Sequence, residues 1–131
     1  MRTVEMQRLA RLPFDEVKPE HLNAGTWRKI LLSADRLPGV HSCVGYSNFA
    51  PGTVTTPIAH EVEEFAFVLT GTGELRGDNE LVPFQQYDML YIPAGSWHAI
   101  ANTGETDVVM VFGFPSPRYP VTQTRQSPSR P

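Results

Sequence analysis

The sequence contains little that would place it outside an ordinary reducing, aqueous compartment. Its 131 residues include one cysteine, Cys43, which excludes an intramolecular disulfide. No apolar run approaches the ~20 residues that span a bilayer, and the first residues lack the apolar core of a signal peptide. Lysine and arginine total 11 against 14 acidic residues, for a formal charge of -3, and no basic cluster points to nucleic acid. These absences predict a cytoplasmic protein with neither a membrane nor a nucleic acid as its partner.

Amphipathic stretches of helical length are also missing after residue 25. Short apolar segments take their place, with strands predicted at residues 26–32, 40–49, 64–69, 89–92, 97–101 and 107–114. Turns are predicted at 35–39, which holds proline and glycine, and at 77–79, where glycine and asparagine tolerate positive φ. Many short strands without intervening helices favour one all-β domain, a sandwich or barrel, over a parallel α/β sheet. A chain of this length can bury a single hydrophobic core.

The two ends of the chain differ in composition from this central part. Residues 1–25 are predicted to form an N-terminal arm, whose second half holds one helical turn at most. Within it, residues 1–12 fit a short helix and an extended strand across a neighbouring subunit equally well. Residues 26–118 form the predicted domain. Residues 119–131 are rich in proline and polar residues and predict a flexible tail, with Tyr119 as the candidate anchor.

Polar residues between Gly52 and Asn102 fall at intervals that form two motifs. The first comprises Gly52, His60, Glu64 and Gly71, and the second comprises Pro93, Gly95, His98 and Asn102. The pattern resembles the two motifs of the cupin family. Ile58 departs from that pattern because it stands where the first histidine is usual, and Tyr87 departs because the second motif usually opens with glycine there. The resemblance implies a single-domain cupin jelly-roll β-barrel and a homodimer, in a fold that hosts many different chemistries.

The resemblance also implies a metal centre built from His60, Glu64 and His98. It places His60 on a loop or strand start, Glu64 on the following strand pointing inward, and His98 on a separate strand opposite. Two imidazole nitrogens and a carboxylate suit one divalent ion (Fe, Mn, Zn, Ni or Co) and leave coordination positions open for substrate, water or dioxygen. Glu64 and His98 are the candidate catalytic residues, with Glu64 as general base if metal is absent. Asn102 is expected to fix backbone in the following turn.

Ile58 leaves three functional alternatives open, because isoleucine has no lone pair and reduces the usual four ligands to three. The first is a metal-dependent enzyme acting on a small organic molecule by lyase, isomerase, cyclase or dioxygenase chemistry. The second is a non-catalytic small-molecule-binding module that has lost the metal. The third is a metal-free enzyme with His60 or Glu64 as acid or base. Alternation after Glu64 predicts Ala66 and Val68 as apolar cavity walls, which favours a substrate with an apolar body over a sugar phosphate.

Other candidate donors are interpreted as structural. His41 precedes the first motif and is a candidate replacement ligand, but a strand or surface position is favoured for it. His21 lies in a polar loop. Strand alternation turns Glu63 away from the face that carries Glu64, so that it hydrogen-bonds a neighbour at most. Cys43 is expected to be a buried apolar residue.

Backbone and side-chain directions are harder to read from the sequence. Tyr87 is compatible with the glycine slot of the second motif if its φ stays negative. The basic residues on predicted strands or their turns are Arg28, Lys29 and Arg76. Their spacing does not decide whether they face the cavity.

Overall fold

The computed structural model describes residues 8–23 and 25–125, and this part of the chain is almost entirely β-structure. A 3-10 turn at Phe14–Glu16 precedes eleven strands. The strands are β1 (Glu20–Asn23), β2 (Thr26–Leu32), β3 (Cys43–Phe49), β4 (Ile58–His60), β5 (Glu64–Thr70), β6 (Gly73–Arg76), β7 (Leu81–Phe84), β8 (Met89–Ile92), β9 (Ala99–Asn102), β10 (Val108–Phe114) and β11 (Thr122–Thr124). The all-β prediction is confirmed. Parts of the predicted arm, 1–7, and of the predicted tail, 126–131, lie outside the described residues.

The strands form two antiparallel layers. One is a six-stranded sheet in the order β1-β2-β3-β10-β5-β8. The other consists of the sheet β7-β6-β9 and the pair β11-β4, which an antiparallel bridge between Ile58 and His98 connects to the start of β9. The layers enclose the core like a barrel, but hydrogen bonding is not continuous around it. Among the described strands, β8 pairs only with β5 and β7 only with β6.

The space between the layers is filled by side chains from both. Alternation along β5 turns Ala66 and Val68 inward, where they are buried, and leaves Phe65 and Phe67 38% and 37% exposed. The buried core cluster consists of Cys43, Phe49, Ala66, Val68, Leu75, Phe84, Leu90, Ile92, Val108, Met110, Phe112 and Phe114. Removal of this apolar surface from water is the main force that holds the layers together. Cys43 is fully buried, as predicted.

Apart from β6 and β7, which flank the predicted turn at 77–79 but were not themselves predicted as strands, three strands were missed, namely β1, β4 and β11. Each has three or four residues with a mostly polar or mixed composition, so neither alternation nor β-branched enrichment marks it. They form because each pairs with a neighbour, β1 with β2 and β4 with β11. The turn at 77–79 is present, with the backbone N–H of Gly77 donating to the carbonyl of Glu80 at 2.8 Å. Contrary to expectation, no residue of this turn has positive φ.

The beginning of the predicted flexible tail, 119–131, is a structural element. Strand β11 pairs with β4 in a register that sets Thr122 opposite His60. Beyond the strand, the guanidinium of Arg125 forms an ion pair with Asp78, in the turn between β6 and β7. These contacts with distant parts of the chain offset the ordering entropy that the polar composition suggested would dominate.

Tyr87 adopts a φ of 73°, so the condition of a negative φ, on which its compatibility with the glycine slot depended, is not met. The turn before β8 is fixed by hydrogen bonds: the backbone N–H of Tyr87 donates to the Val68 carbonyl at 2.7 Å, and that of Gln85 donates to Oδ2 of Asp88 at 2.9 Å. The tyrosine ring stacks on Phe67, with 6.1 Å between centroids. Tyr87 therefore has a left-handed conformation that glycine adopts freely but that is strained for tyrosine.

We expect Tyr87→Gly to be more stable than Tyr87→Ala by about 1 kcal/mol. Both variants lose the stacked ring, but only glycine relieves the left-handed strain. The free energy of unfolding from urea denaturation measures the difference. Equal stabilities of the two variants would show that this position carries no strain.

Candidate metal centre

A cavity of about 380 Å³ lies between the two layers and contains the predicted metal ligands. Its volume is within the range of roughly 300–1,000 Å³ that is usual for small-ligand sites. The walls come from both layers and include Phe49, Ile58, Ala66, Ile100, Met110 and Phe112. The prediction that Ala66 lines the cavity is confirmed, whereas Val68 packs wholly into the core and does not reach it.

Local strand structure brings His60, Glu64 and His98 to one part of the cavity. His60 is the last residue of β4 and Glu64 is the first residue of β5, so the short connection between them returns both side chains to the interior. His98 stands directly before β9, where its backbone pairs with Ile58 through hydrogen bonds of 3.0 and 2.9 Å. The two histidines are only 3% and 6% exposed. Contrary to the predicted loop or strand start, His60 ends its strand.

The donor atoms of the three side chains converge. Oε1 of Glu64 lies 3.2 Å from Nε2 of His60 and 3.3 Å from Nε2 of His98. All three donor atoms lie within 4.8 Å of one another. An ion with bonds near 2.1 Å separates adjacent ligands by about 3.0 Å in octahedral and about 3.4 Å in tetrahedral geometry. Both distances from the carboxylate fall in this interval, so the residues fit a divalent metal.

The tautomers of both histidines follow from their outer hydrogen bonds. Nδ1 of His98 lies 2.9 Å from the Ser96 carbonyl oxygen, which only accepts, so Nδ1 carries a proton. Nδ1 of His60 lies 2.7 Å from the hydroxyl of Thr122, whose single proton is donated to the Pro120 carbonyl at 2.9 Å. That hydroxyl must therefore accept from His60. In its neutral form each ring then directs an Nε2 lone pair toward the carboxylate, which is the form in which histidine binds a metal.

The carboxylate of Glu64 is the charged group at the centre of the site. Its Oε1 is buried and has no hydrogen-bond partner among the described residues. Burial raises the pKa of Glu64, but the adjacent His60 and His98 outweigh it, so the pKa is lowered and the group is a carboxylate. Burial lowers the pKa of His98, but Glu64 and the Ser96 carbonyl outweigh it, and the pKa is raised. A proton and a metal ion therefore compete for Nε2 of His98.

The other predicted donors do not join the site. Within residues 8–23 and 25–125, no further histidine, cysteine, aspartate or glutamate belongs to the group. His41 is exposed in the loop before β3, and His21 is exposed on β1. Ile58 lines the cavity on the same face of β4 as His60 but offers no donor atom. The three residues predicted as ligands are thus the three whose donor atoms converge among the described residues.

Two expectations about neighbouring polar residues are confirmed. Glu63 is exposed and accepts a hydrogen bond of 3.0 Å from the hydroxyl of Tyr91. The side-chain amide of Asn102 donates to the carbonyls of Phe49 and Thr106, both at 2.9 Å. Asn102 therefore ties the turn after β9 to the end of β3.

Three further residues, whose place in the site was not predicted, also belong to it. Thr122 supports His60 from the outside. Tyr119 lies edge-on to the His60 ring, with 5.5 Å between centroids, and lines the cavity. Arg28 also lines the cavity, and its guanidinium carbon lies 4.2 Å from the centroid of Tyr119. Thr122 and Tyr119 belong to the segment predicted as a tail, so only long-range pairing reveals them.

The side chains of the other two basic residues, Lys29 and Arg76, have partners of their own. Nζ of Lys29 donates to the Phe14 carbonyl at 3.1 Å and lies 3.7 Å from the centroid of that ring. Arg76 pairs with Glu74 on the same strand at 2.8 Å. Of the three residues left open by the sequence, only Arg28 lines the cavity of the metal ligands.

We expect Thr122→Val to weaken metal binding about 10- to 100-fold, the usual effect of losing the partner that orients a histidine ligand. Valine matches threonine in shape but cannot accept the Nδ1–H of His60. Thr122→Ser is the matched control, because it keeps the hydroxyl and should retain near wild-type affinity. Competition with a chelator of known affinity measures both. Equal affinities of the valine and serine variants would exclude a positioning role for the hydroxyl.

Comparisons with known proteins agree with this geometry. The family model described as a cupin domain matches residues 45–114. The 5-nitrosalicylic acid 1,2-dioxygenase of Bradyrhizobium sp is 35% identical over 60 residues, which cover 46% of this chain but only 29% of that enzyme. A cupin-2 domain from Rhodospirillum rubrum superposes with a TM-score of 0.73 at 19% identity, covering 92% of this chain and 82% of that one.

The polyketide cyclase RemF from Streptomyces resistomycificus superposes with a TM-score of 0.74 at 17% identity, covering 92% of this chain and 88% of that chain. At such identities the two structures bear on the fold alone, and they support the predicted jelly roll. The family model spans more than half of the sequence and includes both motifs and all three converging donors. The chain therefore belongs to the cupin family.

Proposed function

We propose that the protein is an enzyme that transforms a small organic substrate at one divalent metal ion held by His60, Glu64 and His98. The observation that carries this proposal is the convergence of the Nε2 atoms of two buried histidines on a buried carboxylate oxygen that has no hydrogen-bond partner. Such an arrangement is unfavourable without a cation, because buried charge needs compensation. Divalent ions that accept nitrogen and oxygen donors, namely Fe, Mn, Zn, Ni and Co, suit it.

The protein groups have distinct tasks in this proposal. A bound ion supplies Lewis-acid polarisation of a substrate oxygen or, if it is iron, activation of dioxygen. His60 and His98 hold their Nε2 atoms in place through Thr122 and the Ser96 carbonyl. Glu64 neutralises part of the positive charge, and it is the candidate general base only if metal is absent. The apolar walls exclude water and accept an apolar substrate body.

Ring-opening dioxygenation of an aromatic acid is the first reaction to test. Two histidines and one carboxylate with open positions form the ligand set of non-haem iron oxygenases. The relative named as a 5-nitrosalicylic acid 1,2-dioxygenase supports this choice, although it shares only part of its length with this chain. Both atoms of dioxygen enter the product in such a reaction, so no external reductant is needed. Cyclisation is the second reaction to test, because the fold is shared with the polyketide cyclase RemF.

Elemental analysis of protein purified without added metal tests the proposal. We expect near one transition-metal ion per chain, with loss of that ion in His60→Ala and His98→Ala. The metal-loaded protein is then assayed for oxygen consumption with salicylate. Activity that survives complete removal of metal by a chelator would contradict a metal-dependent mechanism and support acid-base catalysis by Glu64 or His60.

A non-catalytic binding protein is the second candidate function. Ile58 favours it, because its side chain stands in the cavity where the family pattern has a ligand. In that case the purified protein would contain no stoichiometric metal, and its melting temperature would not respond to added Fe(II), Mn(II), Co(II), Ni(II) or Zn(II).

A cytoplasmic homodimer remains part of the proposal. In the described ranges, no helix has the length and apolar character that crossing a bilayer requires. The outer face of β5 and β8 exposes a group of large apolar side chains: Phe65, Phe67, Met89 and Tyr91. Contact with a second copy would cover such a patch. Sedimentation equilibrium tests this, and a monomer at all concentrations would contradict the dimer.

A further inference from the structure

We propose that Arg28 binds the carboxylate of an aromatic acid inside the cavity of the metal ligands. This inference rests on the proposed function, because it names the substrate class of the same site. In this arrangement Arg28 and Tyr119 contact the end of the substrate that does not react. The reacting end lies beside His60, Glu64 and His98.

Arg28 is the only lysine or arginine among the described residues that line this cavity. It lies on β2 in the six-stranded sheet, and its side chain is 20% exposed. Its pKa is raised: burial lowers it, but Glu20 and Tyr119 outweigh burial. Arg28 is therefore a permanent positive charge at the edge of a mainly apolar space.

Part of the guanidinium remains available to a ligand. Glu20 accepts from Nε at 3.1 Å and from Nη2 at 3.4 Å. These contacts leave the donors of Nη1 for a further acceptor, since guanidinium carries five N–H groups. Glu20 does not line the cavity, and its side chain is 55% exposed. The carboxylate of Glu20 thus holds Arg28 from the solvent side and fixes the direction of the fork.

Arg28 lies close enough to the metal ligands for one aromatic substrate to contact both. The guanidinium carbon is 4.2 Å from the Tyr119 centroid, which is 5.5 Å from the His60 centroid, so Arg28 and His60 lie within 9.7 Å of each other. A ring that carries a carboxylate at one position and a metal-binding oxygen at another bridges such a distance. The rings of Phe49, Phe112 and Tyr119 line the same cavity and provide aromatic surface for it.

Charge in the occupied site favours a monoanion. The charges of a divalent ion, Glu64, Arg28 and its partner Glu20, which lies outside the cavity, sum to one positive charge. One carboxylate neutralises this positive charge, whereas a dianion would leave one net negative charge. Guanidinium also matches carboxylate geometry with two parallel hydrogen bonds. An aromatic monocarboxylate meets all three conditions of charge, distance and surface.

Binding of benzoate and of its neutral isostere benzamide tests the inference. Isothermal titration calorimetry is carried out with zinc-loaded protein and with chelator-treated protein. We expect benzoate to bind at least about 10-fold more tightly than benzamide, and Arg28→Gln to weaken benzoate about 10- to 100-fold while leaving benzamide unchanged. Arg28→Lys keeps the positive charge but not the planar guanidinium, so its affinity for benzoate should lie between those of the wild type and Arg28→Gln. Arg76→Gln, on an arginine paired with Glu74, is the control that should change neither ligand.

Two results would overturn the inference: equal binding of benzoate and benzamide, or benzoate binding that Arg28→Gln and Arg28→Lys leave unchanged because the metal alone holds the carboxylate. Failure of benzoate to bind either the zinc-loaded or the chelator-treated protein would also overturn the inference. Failure of the proposed function is a separate observation, since it would appear as absence of metal uptake. Carboxylate preference in the chelator-treated protein is measured independently of that uptake.

Discussion

Replacing Glu64 with glutamine is expected to abolish stoichiometric metal binding, with a loss of affinity greater than about 100-fold, the upper end of what loss of an outer partner causes. The substitution keeps the size of the side chain but removes the only negative charge among the three converging donors. Metal that binds only the folded state raises stability, by about 2.7 kcal/mol when it is present at 100 times its Kd. The wild-type melting temperature should therefore rise with added metal, and that of Glu64→Gln should not.

Glu63→Gln is the matched control for this experiment. Glu63 is adjacent in sequence and has the same chemistry, but it is exposed and bonded to Tyr91 on the outer surface. The control should bind metal with unchanged affinity and show the same metal-dependent rise in melting temperature. Loss of metal in both variants, or in neither, would mean that Glu64 is not a ligand.

Ile58→His is expected to increase metal affinity by at least about 10-fold, which corresponds to 1.4 kcal/mol. Ile58 and His60 lie on the same face of β4, and the backbone of Ile58 is paired with that of His98. A histidine at this position would therefore point into the space between two existing ligands. It would restore the four-ligand pattern from which the chain departs. The same substitution fills one coordination position, so turnover should fall while affinity rises.

Ile58→Phe serves as control, because it introduces a ring of similar size without a donor atom. Chelator competition measures affinity in both variants, and X-ray absorption of a cobalt-loaded sample reports the number of imidazole ligands. If the histidine and phenylalanine variants bind metal equally, position 58 does not reach the ion. The departure at Ile58 would then have no bearing on metal affinity.

The three converging donors were predicted from the sequence because they fall on the two motifs of the cupin family, and local features explain where the fold places them. His60 and Glu64 are separated by a short connection between two strands, and His98 follows a Pro-x-Gly turn that sets its position before β9. Alternation along β5 then decides that Glu64 and Ala66 face inward while Phe65 faces outward. For these residues, the pattern over a few positions carries the structural information.

The remaining features of the site depend on contacts between distant segments. Thr122 acquires its role because β11 pairs with β4, and nothing in a short polar run of threonine and glutamine indicates that pairing. Arg28 lines the cavity, whereas the side chain of its neighbour Lys29 donates to the Phe14 carbonyl. This difference in direction depends on how the N-terminal segment packs. Tyr87 keeps a glycine-like φ because hydrogen bonds on both sides of it fix the turn. Local preference predicted the opposite sign and was overridden.

Anomalous X-ray scattering from crystals grown with cobalt is the most direct test of the metal centre. We expect one peak per chain at bonding distance, about 2.0–2.2 Å, from Nε2 of His60, Nε2 of His98 and a carboxylate oxygen of Glu64. A peak elsewhere in the protein, or none at saturating cobalt, would contradict the convergence of these three side chains on a common ion.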